Sequence, residues 1–589
     1  MDNNSISQVF ADVAVLMQAN GENIFKVRAH SKASDEIKSL SYPIADIIDD
    51  TEKLSAIPGF GEAIVEMTQE LVRTGRLSLL EGLLDELPDG VLELVQIPGI
   101  GPKIAVTAAT DLGIGNYEQL AASIESGEFQ SLPRISKKGA VQILRHTKVR
   151  IEQGKRIGIG PATQAAHKVI TELQNRCPDV DQIEAVGSLR RAVELVGNIN
   201  IVCAASDEIQ ATEIIDTFTT LTNVHDVVSH DENTAVFTDR TGLEFSLRVV
   251  RPDAFSGALV YATGSISHGT KIESLASNQG LELTPSGLFD LETDSPVQAD
   301  TEQEIYSRLG LNFIQPEMRE DTGEIEFAAS QNLSQIIKLE DIRGDLHSHT
   351  NWSDGRYPME EMIEAAKQRG LDYIAITDHS PSATVANGLK PDMLLVHNTA
   401  VRDAAESSGM NLLTGTEMDI KPDGSLDYAD DLLENLDIVI ASIHSGMDQD
   451  SATMTQRVID AMESPHVDVI CHLTARLLGK RSPVEIDIDE VLEAAVRTGT
   501  VMEINASPDR LDLKASHVRK AVERGVIFSI NTDSHRTWQF DNMRFGVSTA
   551  IRGWVDSDRV INTLQYSELM EFLQLSKTDR YAFIESRAQ

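Results

Sequence analysis

The sequence is poor in cysteine and in aromatic residues, and it contains no long apolar segment. Three of its 589 residues are cysteine, and aromatic residues make up 5%. Cys177, Cys203 and Cys471 lie far apart, which excludes a disulfide framework and a cysteine-rich zinc site. No apolar run approaches the ~20 residues that a membrane helix needs, and the N-terminus lacks the basic and apolar pattern of a signal peptide. These absences predict a cytoplasmic protein with no membrane partner.

Basic residues are also scarce, and most of them are arginine. The chain has 51 Lys plus Arg against 92 Asp plus Glu, a net charge of −41, and 19 of its basic residues are lysine. An apolar content of 41% excludes a largely disordered chain, and at about 150 residues per domain the length indicates three to five domains. A low-lysine, acid-rich surface suits a chain kept soluble in a salt-rich cytosol. In concentrated salt, the repulsion between carboxylates and DNA phosphates is screened within a few Å.

Two turns near the N-terminus share the pattern apolar-Pro-Gly-apolar-Gly. Residues 57–61 read IPGFG, residues 97–101 read IPGIG, and predicted helices follow at 63–73 and 103–111. Such a turn allows close approach of the backbone, and the helix behind it presents free N–H groups to an anion. This helix-hairpin-helix arrangement grips DNA phosphates without reading sequence. The candidate DNA-binding residues are therefore Gly59, Gly61, Gly99 and Gly101, and the alternative is a pair of ordinary helix-capping turns.

A basic run follows these turns. Between Arg134 and Arg156 there are eight basic residues and a single acid, Glu152. The run begins in a third copy of the turn, residues 132–136 (LPRIS), which has lost both glycines and so would contact phosphate through side chains. Lys137, Lys138 and Arg145 are the candidate DNA contacts. The alternative interpretation is a solvated helix face.

The middle of the chain resembles the palm and thumb of family-X DNA polymerases. Residues 187–191 read GSLRR, residues 196–202 read VGNINIV, and residues 261–265 read YATGS. The family pattern is Gly-Ser-x-Arg-Arg, then Gly-Asp-x-Asp on a strand, then Tyr-x-Thr-Gly-Ser in the thumb. The resemblance implies a nucleotide pocket, here degenerate, formed by Gly187, Ser188, Arg191, Tyr261, Gly264 and Ser265.

The departures from that pattern remove the catalytic carboxylates. Asn198 and Asn200 share one face of a predicted strand where the family has two aspartates, and Ser246 stands at the third aspartate position. Mg²⁺ favours anionic oxygen, so we expect metal binding at the palm and templated polymerisation to be lost. Substitution by neighbouring acids stays open as an alternative, and the acids in question are Glu244, Glu194 and Asp207.

Two further departures point the same way. Glu273 stands where relatives carry an arginine that faces the template. Ala63 and Met67 occupy positions where lyase-competent relatives have lysines, so the resemblance does not extend to a Schiff-base lyase.

From residue 343 the pattern changes to strands that alternate with helices. Each predicted strand ends at or near a histidine, a carboxylate or an asparagine. The predicted strands are 345–349, 374–379, 412–417, 438–444, 467–472, 501–505 and 527–535. About seven β/α units indicate a barrel, whose active site lies at the C-terminal ends of the strands. Six of the nine histidines beyond residue 340 fall at those ends, together with four acids. A lone histidine there is usually structural, but ten ligand-type residues at one barrel mouth predict a metal site.

The strings DLHSHT at 345–350, TDH at 377–379 and TDSH at 532–535 resemble the PHP (polymerase and histidinol phosphatase) superfamily. The resemblance implies about three ions, Mn²⁺ or Zn²⁺, that serve phosphoester hydrolysis. The implied ligands are His347, His349, Asp354, His379, Glu417, His444, His472, Asp533 and His535. Of these, His347, His349, Glu417, His444, Asp533 and His535 are also the candidate catalytic residues. Asp378 matches no ligand position, and we expect it to support His379 from behind.

These patterns predict a multidomain α plus α/β protein. The expected parts are a helical domain with the first hairpin (1–85), a fingers-like second hairpin region (86–155), an α+β nucleotidyltransferase-like palm (156–255), a thumb (256–320), a linker (321–340) and a distorted (β/α)7 PHP barrel (341–589). The layout is similar to that of bacterial and archaeal family-X polymerases with a C-terminal PHP domain.

The leading functional hypothesis is a metal-dependent 3′–5′ exonuclease or phosphoesterase that acts in base excision repair. Its expected partner is gapped, nicked or 3′-ended DNA of any sequence. One alternative is an active family-X polymerase, and another is a non-catalytic scaffold that binds DNA ends. A phosphatase for small phosphate esters is disfavoured by the DNA-binding turns in front of the barrel.

If the basic run contacts phosphate, neutralising Lys137, Lys138 and Arg145 will flatten the salt dependence of DNA binding. We expect the log–log slope to fall by roughly one unit per lost phosphate contact. Binding titrations over a series of salt concentrations measure that slope. An unchanged slope would identify the run as a solvated helix face.

Overall fold

The computed structural model describes residues 3–40, 42–133, 135–154, 156–330 and 335–587. It divides into two compact units, Met1–Gly154 with Gly479–Ser482, and Lys155–Leu478 with Pro483–Gln589. The division near residue 155 agrees with the predicted boundary there, and the finer boundaries stay predictions. Arg134 and Lys155 of the basic run lie outside the described residues. Within the described ranges, no helix is long and apolar enough to cross a membrane.

The first unit consists of helices around one apolar core. They are Asn3–Ala19, Ile24–Ser39, Thr51–Ser55, Glu62–Thr74, Ser78–Glu86, Val91–Leu94, Pro102–Leu112, Tyr117–Ser126 and Lys137–Gln153. Each predicted hairpin turn leads directly into a helix. The first glycine of each turn has positive φ, +87° at Gly59 and +94° at Gly99. The second glycine, Gly61 or Gly101, is the extended N-cap of the helix that follows.

The basic run forms the helix Lys137–Gln153. Ser136 caps this helix by accepting a hydrogen bond from the Gly139 N–H (2.9 Å). Its first turn contains Lys137 and Lys138 and no acid, so two cations lie at the end where the helix dipole is already positive. This end of the helix is therefore strongly attractive to anions.

The second unit begins with a five-stranded sheet at the predicted palm. In spatial order its strands are Ile183–Val186, Asn198–Ala204, Glu244–Val250, Thr234–Thr238 and Asp226–His230, and the second and third are parallel. The helices Ile159–Arg176 and Glu208–Phe218 pack on one face. The helix Phe255–Thr263 covers part of the other face.

The predicted thumb follows in sequence. It contains the helices Ile266–Ser277 and Glu302–Arg308 and a small sheet of Leu281–Thr284, Gly287–Asp290 and Ser295–Pro296. The helix Glu324–Ser330 lies in the predicted linker. The buried Arg319 of the thumb forms an ion pair with Glu302 (2.8 Å). Glu302 also forms an ion pair with Arg190 of the palm. A buried arginine needs such a partner because an unpaired interior charge is costly.

The C-terminal region is a nearly closed barrel of seven parallel strands. These are Gly344–Ser348, Tyr373–Ile376, Asn411–Asp419, Ile438–Ser442, Val469–Ile470, Val501–Asn505 and Phe528–Asn531. The surrounding helices include Met359–Gln368, Pro391–Ser408, Ser451–Glu463, Ile488–Thr498, Ala515–Arg524, Met543–Arg552, Tyr566–Gln574 and Arg580–Arg587. The (β/α)7 prediction is confirmed. Several strands end before the last residue of the predicted range, because the regular backbone pairing stops there.

Closure between the first and last strands depends on side chains as well as backbone. At the mouth, the His349 N–H donates to the Ser534 carbonyl (2.8 Å). Below it, buried Asn562 donates to the carbonyls of Gly344 (2.9 Å) and Ile530 (2.8 Å) and accepts from the Ile530 N–H (2.8 Å). An amide can satisfy both strands because it carries donors and an acceptor. Asn562 therefore stabilises the junction between the first and last strands.

The second hairpin turn generates a matched pair of substitutions. Gly99→Ser places a Cβ at φ +94° and 3.1 Å from buried Ile143, so we expect a loss of at least about 1–2 kcal/mol in the free energy of unfolding. Gly101→Ser has open space around the Cβ and provides a good N-cap, so it should be neutral or stabilising. Urea unfolding of both full-length variants measures the difference. Equal losses at the two positions would contradict this account of the turn.

Candidate metal centre

The nine predicted ligands meet at the C-terminal mouth of the barrel. His347 and Glu417 lie within strands, and the others lie on the chain just beyond a strand end. Six of the seven strands supply them, and the nine are His347, His349, Asp354, His379, Glu417, His444, His472, Asp533 and His535. The structure brings all nine into four overlapping groups, in each of which the donor atoms lie within 4.8 Å of one another.

Glu417 is the centre of the cluster. Its side chain is 1% exposed, and five histidines surround its two oxygens. Oε2 lies near His347 Nε2 (3.3 Å), His349 Nε2 (3.4 Å) and His379 Nδ1 (3.2 Å), and Oε1 lies near His444 Nε2 (3.3 Å) and His472 Nε2 (2.8 Å). Burial opposes ionisation, but His379, His444 and His347 hold the pKa of Glu417 well below its usual value. The carboxylate is therefore anionic and can bridge two cations.

Two further carboxylates connect the remaining histidines. Asp533 Oδ1 lies 3.2 Å from His349 Nε2 and 3.6 Å from His535 Nδ1. Asp354 Oδ1 lies 3.3 Å from His535 Nε2 and 3.6 Å from His379 Nε2. Against the effect of burial, the neighbouring histidines lower the pKa of both carboxyls. Both oxygens therefore have the charge that a cation needs.

Several buried donor atoms in the cluster have no hydrogen-bond partner among the described residues. They are His347 Nε2, both ring nitrogens of His349, His379 Nδ1 and Asp533 Oδ1. Orphaned buried polar atoms are rare in proteins, and an ion is one explanation for them. Burial, with the charge of His535, lowers the pKa of His349 to about 4, which keeps the ring in the neutral form that binds metal. The donor set fits Mn²⁺, Zn²⁺ or Fe²⁺ better than Mg²⁺.

Two carboxylates behind the cluster were missed by the sequence reasoning. Glu503 accepts a hydrogen bond from His347 Nδ1 (2.7 Å), and Asp419 accepts one from His444 Nδ1 (2.8 Å). Such pairs fix the orientation and tautomer of a metal-binding histidine. Strand alternation could have found both, because Asp419 is two residues beyond Glu417, and Glu503 is an acid in a predicted strand that carries none of the nine ligands.

The expected role of Asp378 behind His379 is wrong. Asp378 accepts hydrogen bonds from Thr350 Oγ1 (2.7 Å), Ser353 Oγ (2.5 Å) and His397 Nε2 (3.0 Å). Successive side chains at a strand end point in different directions, so Asp378 lies behind the loop after the first strand. It therefore positions that loop, which carries the predicted ligand Asp354.

Strained backbone turns two of the predicted ligands into the cluster. His472 has φ +24° and Asp533 has φ +55°. Residues other than glycine rarely adopt positive φ, and such strain persists where the surrounding structure imposes it. Each of them lies two positions after the end of a short strand, so the predicted strands 467–472 and 527–535 were too long.

In the palm, the three replaced carboxylate positions also converge, but they form a neutral network. Ser246 Oγ donates to Asn200 Oδ1 (2.6 Å), and Asn200 Nδ2 lies 3.3 Å from Asn198 Oδ1. The amide and hydroxyl groups satisfy one another without a cation. This arrangement lacks the anionic oxygens on which Mg²⁺ binding depends.

Two of the neighbouring acids are engaged elsewhere. Glu194 forms a bidentate pair with Arg476 of the barrel (2.6 and 3.0 Å). Asp207 lies beyond the opposite end of the strand Asn198–Ala204, where it caps the helix Glu208–Phe218. Asp207 therefore does not flank the asparagine pair as predicted, and the strand separates them by more than about 10 Å. Glu244 pairs in register with Asn198 and is the remaining candidate.

The predicted nucleotide pocket is partly occupied by contacts within the protein. Arg191 donates to Glu320 Oε1 (3.1 Å) and to the Thr263 carbonyl (2.5 Å). Ser265 caps the helix Ile266–Ser277, and Gly264, with φ +68°, lies next to Arg191. Gly187 and Ser188 open the short helix Gly187–Arg190, and Tyr261 is partly exposed. The pocket residues are near one another, but the charge of Arg191 is already paired.

Four family models match the chain. A "Helix-hairpin-helix domain" matches residues 1–77, and a "SAM-like Helix-hairpin-helix tandem" matches residues 91–148. A "DNA polymerase beta thumb" matches residues 258–320, and a "PHP domain" matches residues 345–507. These matches agree with the predicted hairpins, thumb and barrel.

Similar proteins fall into two groups. The chain is 36% identical over 580 residues to a protein of Bacillus subtilis (strain 168) named "DNA polymerase/3'-5' exonuclease PolX", covering 98% of this chain and 100% of that protein. It is 32% identical over 228 residues to a "probable phosphatase" of Shewanella sediminis, covering 37% of this chain and 88% of that protein. A "probable phosphatase" of Thermoanaerobacter sp. (strain X514) is 30% identical over 245 residues, covering 40% of this chain and 95% of that protein.

A substitution of Glu503 tests whether the carboxylates that contact the histidines on the side away from Glu417 position them for metal binding. The oxygens of Glu503 accept hydrogen bonds from His347, the His472 N–H, Asn505 and Asn531. Glu503→Gln replaces one acceptor oxygen by a donor, so we expect a 10–100-fold loss of metal affinity. Competition with a chelator measures this affinity, and Glu493→Gln on the exposed face of a barrel helix is the matched control. Equal affinities for the two variants would exclude the positioning role.

Proposed function

Since the chain belongs to the PolX family, the family-X DNA polymerases with a C-terminal PHP domain, we propose that it acts mainly as a metal-dependent 3′–5′ exonuclease or phosphoesterase on DNA ends. The observation that carries the proposal is the contrast between its two sites. The barrel has nine carboxylate or imidazole donors, of which the buried, anionic Glu417 is the central one. The palm has neutral side chains at all three carboxylate positions.

The barrel residues are suited to hold about three ions of Mn²⁺ or Zn²⁺. When bound, such ions lower the pKa of water and neutralise the charge of a phosphodiester. Glu417, Asp533 and Asp354 supply the negative charge of the site, and Glu503 and Asp419 orient two of its histidines. Imidazole and carboxylate together favour these ions over Mg²⁺.

Arg510 is a further candidate for contact with the scissile phosphate. Its Nε lies 3.5 Å from Asp533 Oδ2, and its side chain is 19% exposed. A guanidinium binds phosphate through a rigid fork of donors. Its position beside Asp533 would bring that fork to a phosphodiester that enters the barrel mouth.

We propose that the palm has become an element that positions DNA. Its residue Glu194 is joined to Arg476, four residues after His472, and Arg552 of the barrel donates to Glu320 (2.9 Å) and to the Arg191 carbonyl. These contacts fix the palm relative to the barrel loops. The glycine turns at 57–61 and 97–101, with Lys137, Lys138 and Arg145, would hold the DNA backbone independently of sequence.

The substrate is then a DNA strand with a free 3′ end, such as occurs at a gap or nick during base excision repair. The 3′–5′ polarity rests on the name of the Bacillus subtilis relative. A scaffold without catalysis is opposed by the intact donor set of the barrel. Templated extension is opposed by the loss of charge at Asn198, Asn200 and Ser246.

An end-labelled primer–template with Mn²⁺, with and without dNTPs, tests the proposal. We expect shortening of the primer and no extension beyond background. His349→Ala and Asp533→Ala should abolish shortening but leave DNA affinity near that of the native chain, because the turns lie in the other unit. A chelator should mimic the variants, and Mn²⁺ should restore the native chain alone.

The assay also separates the alternatives. Robust dNTP incorporation by the native chain would show that the polymerase is active, and hydrolysis at the native rate by both variants would place the chemistry elsewhere. Purified protein without stoichiometric Mn or Zn would favour the scaffold. The triple variant Asn198→Asp, Asn200→Asp, Ser246→Asp should recover metal binding at the palm. Recovery of primer extension is not required, because Glu273 still replaces the arginine that faces the template in relatives.

A further inference from the structure

A buried thiol lies within the donor cluster of the barrel. Cys471 Sγ is 3.7 Å from Glu417 Oε1 and 3.7 Å from His472 Nε2. The donor atoms of Cys471, Glu417, His472 and His347 all lie within 4.8 Å of one another. Each of the four residues is at most 1% exposed. A soft sulfur donor is therefore part of a site that otherwise contains nitrogen and oxygen.

The backbone fixes the position of this thiol. Cys471 directly follows the strand Val469–Ile470, and its N–H donates to the Ala441 carbonyl (3.0 Å). On its other side the thiol packs in the apolar interior of the barrel with residues such as Leu346 and Ile440. Cys471 therefore lies at the floor of the metal centre. A small apolar residue could fill the same volume, so packing is the alternative explanation.

An independent observation indicates that this group binds a ligand. His347 Nε2 is fully buried and has no hydrogen-bond partner among the described residues. The opposite ring nitrogen of His347 is held by Glu503 (2.7 Å), so the ring is fixed with Nε2 towards the group. A fixed imidazole nitrogen that makes no hydrogen bond with the described part of the chain, although a carboxylate oxygen lies 3.3 Å away, and that shares its group with a second imidazole and a thiol, is arranged as a metal ligand is.

We propose that Cys471 is a thiolate ligand of the ion bound by Glu417 and His472, and that it makes this one position of the centre selective for Zn²⁺ over Mn²⁺. The inference deepens the proposed function, on which it rests. Thiolate ligands favour Zn²⁺, whereas Mn²⁺ prefers oxygen. On coordination the sulfur–hydrogen bond is replaced by a sulfur–metal bond, and the proton leaves to solvent.

The distances are compatible with a tetrahedral ion. Zinc lies about 2.3 Å from sulfur and about 2.0–2.1 Å from nitrogen or oxygen, which places neighbouring donor atoms roughly 3.3–3.6 Å apart. The sulfur lies 3.7 Å from Glu417 Oε1 and 3.7 Å from His472 Nε2, and these two atoms are 2.8 Å apart. His347 Nε2 lies 3.3 Å from the other oxygen, Oε2. All four donor atoms lie within 4.8 Å of one another, so side-chain adjustment around a bound ion would be needed to reach that geometry.

X-ray absorption at the zinc edge tests the proposal on the zinc-loaded native chain without any substitution. We expect a sulfur neighbour about 2.3 Å from zinc that disappears in Cys471→Ala. Cobalt loading gives a second readout, because thiolate ligands produce a near-ultraviolet charge-transfer band that nitrogen and oxygen ligands do not. The matched control Cys177→Ala,Cys203→Ala removes the two buried palm thiols and should keep both signals.

Competition between the two metals measures selectivity. Cys471→Ala should lose at least about tenfold in zinc affinity and change manganese affinity much less. Should Cys471→Ala fail to fold, Cys471→Ser and the native spectra still decide the question. Stoichiometric metal without a sulfur neighbour, or an unchanged zinc-to-manganese preference, would refute the thiolate ligand while leaving the proposed function intact. Failure of the native chain to bind metal would instead overturn the proposed function.

Discussion

The buried carboxylate of Glu417 imposes the main constraint on this molecule. Five histidines surround it where a barrel interior would otherwise be apolar. Burying so many polar groups is costly unless each finds a partner, and several nitrogens of the cluster find none among the described residues. A set of cations would supply the missing partners and balance the charge of Glu417, Asp533 and Asp354. The arrangement of donors at the barrel mouth is therefore one that bound cations would complete.

Much of the surrounding structure holds these donors in place. Glu503 and Asp419 orient histidines from behind, and Asp378 positions the loop that carries Asp354. Positive φ at His472 and Asp533 turns both side chains inward, at a cost that the packed barrel can sustain. At the opposite end, Asn562 joins the first and last strands. The precision of the site thus depends on residues that would contact neither metal nor substrate.

The polar groups of the palm are stabilised differently from those of the barrel. Asn198, Asn200 and Ser246 satisfy one another through hydrogen bonds, so no cation is needed to stabilise them. A neutral network of this kind preserves the shape of the strands while removing the charge that two-metal chemistry uses. The ion pair between Glu194 and Arg476 then connects this sheet to the barrel.

The sequence by itself determined the barrel and the hairpin turns, because strand alternation and repeated motifs are local patterns. The nine donors followed from the resemblance of three short motifs to the PHP superfamily. The sequence also identified the three replaced carboxylates, whose convergence follows from adjacent parallel strands. Strand alternation marks Glu503 and Asp419 as candidates, but only the tertiary structure decided which histidine each of them contacts. Glu503 reaches His347, and Cys471 reaches Glu417, from strands far apart in the chain, and Asp378 points away from His379 because the strand ends before it. Side-chain direction at an irregular strand end depends on packing, which no local pattern contains.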